Sequence, residues 1–350
     1  MFSWINSLGI AAVMLVIMSW VISKASDKLG DVLHILGIKL RIPTSVRGAT
    51  FDAISSSFPE FSTAMIAVLV YKDFTNVGVP TIAGSGIFNV LLIPMASILA
   101  FKGKNLLIKV DRKVVYRDMI FYTLSVVTLG VFTYLGSYNM ISGAVLVSIY
   151  FAYIYVLYKQ TKDYRASLSE KEAAVEEAEA VTLAEAEEDE EEDMSYGAIL
   201  LWIAISIAII WVSIDAVIQS ATVVSTALHI PKYIVSVIII AACTSIPDTL
   251  LSVKSAKEGD AEGAVSNAVG SNIFDICVCL GFPMFIAGNT LPANFSQNIG
   301  VLIFLIISML TTALLLLKKD GVTKKDAFIM LAVYVVFLIY VVGVGIGVFV

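Results

Sequence analysis

The chain has 350 residues, 58% of them hydrophobic and only 15% charged, with a mean hydropathy of +0.89. Those proportions exclude a soluble globular domain and place the chain among integral membrane proteins. The net charge of −6 comes from one acidic stretch, and no nucleic-acid partner is expected from it.

A helix needs about 20 apolar residues to cross a bilayer. Ten stretches qualify, in chain order 4–22, 44–70, 77–101, 116–136, 139–158, 196–221, 230–254, 261–287, 297–317 and 326–348. The N-terminus lacks a basic start and a small-residue cleavage site, so the first stretch is expected to be a retained helix and not a signal peptide. Residues 159–195 are polar. Between Glu170 and Asp193 they hold thirteen acids and one base, Lys171. Like-charge blocks stay solvated and disordered, and no EF-hand pattern is present. The expected organisation is a first five-helix unit at 1–158, an acidic linker at 159–195 and a second five-helix unit at 196–350.

Lysine and arginine give an orientation. Alternate connections hold 21 of the 23 basic residues, and the opposite side holds only Lys72 and Lys232. The positive-inside rule puts the rich side in the cytoplasm and both termini outside. Five is odd, so two consecutive five-helix units lie with opposite orientation. The expected fold class is thus an all-α integral membrane protein of ten transmembrane helices in two inverted five-helix repeats. In that plan of secondary transporters the site lies at the repeat interface near the midplane. A plasma-membrane location is expected.

Two matching segments support the duplication. The first reads S-S-S-F-P-E (Ser55 to Glu60), then G-S-G-I-F-N (Gly84 to Asn89). The second reads C-T-S-I-P-D (Cys243 to Asp248), then G-S-N-I-F-D (Gly270 to Asp275). Glu60 and Asp248 are 188 positions apart, and Ser85 and Ser271 are 186 apart. An ionisable group inside an apolar segment is costly and by default functional. The polar residues pair at i and i+4: Ser56 with Glu60, Ser85 with Asn89, Thr244 with Asp248, Ser271 with Asp275. Such pairs share one helix face. Pro59 and Pro247 cannot donate to the preceding turn, which frees carbonyls near Ser55 and Cys243. Free backbone oxygens are tolerated at membrane depth where they line a cavity or bind an ion.

The donors are carboxylate, amide, hydroxyl and carbonyl oxygen, which suit hard cations such as Ca²⁺ and Na⁺. A lone serine or threonine in a membrane helix ordinarily bonds its own backbone, and small residues let helices pack closely. Neither account covers the duplicated acids, and no lysine or arginine falls within these stripes. Three cysteines (Cys243, Cys277, Cys279) and two histidines (His34, His229) lack metal-ligand spacing, so disulfide and zinc readings are weak. Asp52 is expected to pair with Arg47 or to line the cytoplasmic approach. Asp215 is expected to snorkel to water from a helix end.

The two segments resemble the alpha repeats of the cation/calcium antiporter superfamily, which includes the sodium/calcium exchangers; the second repeat is most similar to the potassium-dependent and prokaryotic branches. The resemblance covers most of the chain. It implies a diamond-shaped site with one Ca²⁺ position and several Na⁺ positions. Carried over residue by residue, it implies as ligands Ser56, Ser57, Glu60, Ser85 and Asn89, then Thr244, Ser245, Asp248, Ser271 and Asp275, with backbone oxygens near Ala53 and Ala241. Glu60 and Asp248 would be the central Ca²⁺ ligands. The chain departs from the family pattern at Ser55-Ser56-Ser57, at Cys243 in place of glycine, at Gly86 in place of asparagine, and at Asp248 where many members have glutamate.

The expected function is a secondary-active antiporter, not an enzyme, that expels Ca²⁺ as Na⁺ runs inward. It needs no cofactor; Ca²⁺ and Na⁺ are its cargo, with K⁺ or H⁺ as a companion ion, and the lipid bilayer is its surrounding partner. Two rivals within the class are Ca²⁺/H⁺ exchange, whose G-N-x-x-E signature is absent, and carriage of another divalent ion such as Mg²⁺. A cation channel is the rival from another class.

Overall fold

The computed structural model describes residues 2–40, 51, 53–101, 112–167, 194–258, 270–319 and 321–348. Asp52, Arg47 and the acidic stretch 170–193 lie outside the described residues. Almost everything described is helix. Helix α1 is Leu8–Lys39. After a short turn, Ala53–Ser56, comes α2, Phe58–Leu69. Then follow α3 (Phe74–Ala100), α4 (Arg112–Tyr134), α5 (Met140–Ser167) and α6 (Tyr196–Leu228). Helix α7 starts as Lys232–Val235, widens into a π-turn at Ser236–Ile240 and continues as Ala241–Glu258. Last come α8 (Gly270–Ile286), α9 (Phe295–Leu316) and α10 (Lys324–Gly345). Among the described residues eight helices are long and apolar enough to cross a membrane; α2 and α8 are shorter apolar helices.

The burial pattern is that of a protein in lipid. Large apolar side chains such as Val16, Trp20, Ile120, Phe151, Leu200 and Leu314 face outward, while Glu60, Asn89, Asn272 and Asp275 are fully enclosed. In α3, 72% of the apolar window is buried, and in α7 65%, against 28% in α5 and α6. So α3 and α7 form the centre and α5 and α6 face the bilayer.

Contacts between helices follow a twofold pattern. Helix α1 packs on α6. Helix α2 packs on α6 and on α8, and α7 packs on α1 and on α3. Helix α3 meets α10, and α8 meets α5; α4 meets α9. Exchanging α1–α5 with α6–α10 leaves these pairings unchanged.

Alternate connections gather on two faces. On one, strands β1 (Ser137–Tyr138) and β2 (Leu291–Pro292) pair antiparallel. There Thr75 donates to the Pro292 carbonyl at 2.6 Å, and Lys232 pairs with Asp73 at 3.0 Å. On the other, Arg112 donates to the Leu317 carbonyl at 3.1 Å, and Arg117 to Gln160 at 3.1 Å. These are the sparse and the rich sides of the basic-residue count, kept apart by the bundle.

Several expected boundaries are corrected. Helix α1 does not stop at residue 22 but continues to Lys39, because its second half turns Ser23, Ser26, Asp27, Asp31 and His34 toward a cavity and not toward lipid. The expected helix 44–70 breaks at Ser57 (φ −93°, ψ 9°), with Pro59 in the first turn of α2, the position proline tolerates best. Pro247, by contrast, lies inside a continuous stretch of α7. Asp215 is half-buried, and its carboxylate accepts from the Tyr71 hydroxyl at 2.9 Å.

Candidate cation site

The two short helices and the two central ones bring the duplicated motifs together. Glu60 stands in the first turn of α2, just past the break at Ser57. Ser85 and Asn89 stand on α3. Close approach of α3 to α7 depends on Gly84: a β-carbon there would collide with the Val237 carbonyl and crowd Ala241. Only a residue without a side chain permits that contact. A π-turn spans Phe74–Gly78 at the start of α3, another spans Ser236–Ile240 ahead of the Ala241 motif, and a third spans Asp275–Leu280 in α8. Such turns widen a helix and leave carbonyls less tightly used.

A hydrogen-bonded chain crosses the site. Ser85 Oγ donates to Glu60 Oε1 at 2.9 Å and lies 2.7 Å from Ser245 Oγ. A hydroxyl has one proton, so Ser245 donates to Ser85 and Ser85 to Glu60. Thr244 also faces the Glu60 carboxylate, while its hydroxyl donates to the Ala241 carbonyl at 3.0 Å. Ser56 Oγ lies 3.5 Å from the Ala53 carbonyl. In both halves the hydroxyl lies against the backbone carbonyl three residues earlier. Ser271 is buried at the start of α8. Asp248 and Asp275 both lie within electrostatic reach of Glu60.

Glu60 Oε2 and Asn89 Oδ1 are buried with no hydrogen-bond partner among the protein's own atoms, and Ser57 Oγ and Asp275 Oδ2, though close to one another, are not joined in hydrogen-bond geometry. Leaving a buried polar atom unmatched costs about 1–3 kcal/mol, and more for a charged one. All four can accept, and none carries a basic neighbour. No three His, Cys, Asp or Glu side chains among the described residues form a ready metal cluster; the acids are mixed with hydroxyls, amides and carbonyls, as hard cations prefer.

A cavity of about 560 Å³ leads to this place. It runs between the polar half of α1 (Ser26, Asp27, Asp31) and α7, and it reaches Ser56 and Asp248. Lys24 and Lys254, from the rich side of the bundle, stand in its wall.

Two neighbours of the site were not among the expected ligands. Asn272 on α8 accepts from Asn89 Nδ2 at 3.2 Å and donates to the Gly86 carbonyl at 3.0 Å. The G-S-N triplet contained it, but its spacing from Asp275 did not mark it as a ligand. Cys279 places its thiol 3.6 Å from the Ser57 carbonyl and 3.8 Å from Asp275 Oδ1; its four-residue offset from Asp275 was the available signal.

A sequence model of the sodium/calcium exchanger protein family matches residues 10–159 and 198–343. The chain belongs to that family. It is an integral multi-pass membrane protein. Among curated relatives it is 26% identical to the inner membrane protein YrbG of Escherichia coli over 302 residues, covering 85% of this chain and 87% of that one. It is 27% identical to the human sodium/potassium/calcium exchanger 5 over 335 residues, covering 73% of this chain and 65% of that protein. The chain spans less than two thirds of the length of the sodium/potassium/calcium exchangers it matches. The fold is shared with the H⁺/Ca²⁺ exchanger CAX (TM-score 0.70, 14% identity, 94% of this chain and 82% of that one). It is shared as well with the sodium-calcium exchanger NCX_Mj (TM-score 0.61, 21% identity, 94% and 98%).

Proposed function

We propose that the protein is an antiporter exchanging Ca²⁺ for Na⁺ by alternating access at one carboxylate site. The carrying observation is the set of buried, unmatched acceptor oxygens where the duplicated motifs meet. A cation bound by Glu60, Asp248, Asp275, Asn89, Ser56, Ser57, Ser85, Thr244, Ser245 and Ser271, with the Ala53 and Ala241 carbonyls, would satisfy them. Ca²⁺ and Na⁺ compete for the same oxygens, so they cannot be carried together. The chain's relation to the sodium/potassium/calcium exchangers supports Ca²⁺ and Na⁺ as cargo.

The fold reading is ten transmembrane helices in two inverted five-helix repeats, 1–158 and 196–350, joined by the acidic linker 159–195. The twofold contact pattern supports it. So does the position of the two matched stretches on either side of residues 160–197. With the basic side cytoplasmic and the termini outside a plasma membrane, the cavity at Asp248 opens inward. The opposite side is tied by Lys232–Asp73, Tyr71–Asp215 and the β1–β2 pair. That arrangement is an inward-facing state.

The test is Ca²⁺ uptake into proteoliposomes under imposed Na⁺, K⁺ or H⁺ gradients. Uptake driven by outward Na⁺ is expected. Uptake driven by a proton gradient alone would replace Na⁺ by H⁺, and uptake without any counter-ion would make the protein a channel.

A further inference from the structure

Tyr122 on α4 is fully enclosed, and its hydroxyl has no partner among the protein's own atoms. A buried phenol ordinarily finds one. Its surroundings are specific. The hydroxyl lies 3.5 Å from the point where a β-carbon on Gly86 would stand. Gly86 is one helical turn before Asn89, whose Oδ1 is unmatched. Asp275, whose Oδ2 is also unmatched, lies within electrostatic range of Tyr122.

The two repeats differ at this spot. Aligned on their glycine-serine pairs, Gly86 corresponds to Asn272. In the second repeat the asparagine side chain reaches across to the Gly86 carbonyl. In the first repeat there is no side chain; Leu305 closes most of the space, and the Tyr122 hydroxyl lies at its edge. Asn272 also fixes the amide of Asn89: because Asn89 Nδ2 donates to Asn272 Oδ1, Asn89 Oδ1 is the atom left to accept. Asn89 on α3, Tyr122 on α4 and Asp275 on α8 thus each keep one buried, unmatched oxygen, and α4 packs directly on the π-turn that opens with Asp275, with Ser125 Oγ 3.0 Å from Cys277 Sγ one turn along from Tyr122. The three oxygens carry at most one full negative charge between them. A single charge with neutral oxygens matches a monovalent cation better than a divalent one.

We propose that Tyr122 is an ion-discriminating residue of the exchanger, its hydroxyl joining Asn89 and Asp275 in holding a monovalent cation. The proposal rests on the cation-exchange reading above and adds to it a residue from a helix outside the duplicated motifs.

The experiment compares wild type, Tyr122→Phe and Gly86→Ala in proteoliposomes and in detergent, titrating Na⁺ and Ca²⁺ separately and recording thermal stability. Losing one neutral hydrogen-bonding oxygen is worth about a three- to tenfold change in binding. The expected result for Tyr122→Phe is a rise of that size in the Na⁺ half-saturation, with the Ca²⁺ half-saturation moving less than about twofold. Gly86→Ala, whose methyl crowds Leu305 and rests against the same hydroxyl, restricts the hydroxyl's approach and should shift Na⁺ in the same direction. Unchanged Na⁺ titrations in both variants, or equal shifts for both ions, would overturn the role of Tyr122. If Tyr122→Phe does not fold, the Gly86→Ala titration decides. Glu60→Gln in the same series separates the two levels: should it bind Ca²⁺ like wild type, the site itself is wrong, and should it fail while Tyr122→Phe is silent, only the tyrosine is.

Discussion

Glu60→Gln is the sharpest perturbation of the site. The residue is fully buried, with Oε1 held by Ser85 and Oε2 unmatched. The amide keeps the volume and can still accept from Ser85, but it replaces a full charge with a dipole. Two unit charges about 4 Å apart interact by about 4 kcal/mol at an effective dielectric near 20. A bound Ca²⁺ is doubly charged and closer, so that figure is a floor, and the Ca²⁺ affinity should fall by at least about a thousandfold. The same change removes a buried charge with no basic partner, which is costly in the ion-free protein. Glu60→Gln should therefore melt at the same or a higher temperature than wild type in the absence of divalent ions, and it should lose the Ca²⁺-dependent rise in melting temperature. The assays are calorimetric Ca²⁺ titration and radiolabelled Ca²⁺ flux in proteoliposomes, with thermal unfolding as the folding control. Wild-type-like affinity or flux would refute the assignment. A variant destabilised without ions would show that Glu60 holds the fold and not a cation.

Asp248→Asn should also abolish Ca²⁺ flux, with a smaller loss of affinity, since Asp248 borders the cavity and is 8% exposed; a titration equal to wild type would remove it from the site. Na⁺ should inhibit Ca²⁺ binding competitively, and isotherms showing independent sites would break the shared-oxygen mechanism. Deleting residues 172–193 should leave basal exchange intact, because the stretch is polar and lies between the two matched units; complete loss of flux in a correctly inserted deletion would make it part of the machine. Asp275→Asn should retain exchange and lose its dependence on pH or K⁺, and unchanged pH and K⁺ profiles would show that another group balances the charge.

The residues most legible in the sequence are those that lipid would reject. Glu60, Asp248 and Asp275 stand out because an acid in apolar surroundings needs a reason, and repetition at a fixed spacing supplied one. Helix ends were less legible. Ser23, Ser26, Asp27, Asp31 and His34 look like the exit of α1 from the bilayer, yet they belong to a helix running to Lys39. A hydropathy window counts polar groups without knowing that these face a cavity. The break at Ser57 and the unbroken helix around Pro247 were invisible for a related reason: both prolines permit either outcome, and packing decides. Tyr122 was missed because a tyrosine in a membrane helix ordinarily marks the interface. Asn272 was missed because its bonds run between helices, to Asn89 and to the Gly86 carbonyl.

What differs between the two halves bears on transport as much as what is shared. In the proposed mechanism the two matched motifs would supply Glu60 and Asp248 from opposite halves, and a site shared by both could be uncovered from either side by moving one half against the other. The remaining pairs are unequal. Asn89 corresponds to Asp275, Gly86 to Asn272, and the broken helix at Ser57 to a continuous one at Pro247. The third acid makes the site's charge about −3 with all carboxylates ionised. Three Na⁺ would cancel that, while one Ca²⁺ leaves about −1 in a low-dielectric interior, where uncompensated charge is costly. A companion K⁺ or a proton removes the residue. The extra charge in that reading would lie with Asp275, which, unlike Asp248, does not line the cavity. On the proposed reading, duplication would supply the divalent position, and the departures from duplication would add to the same site the oxygens that balance its remaining monovalent charge.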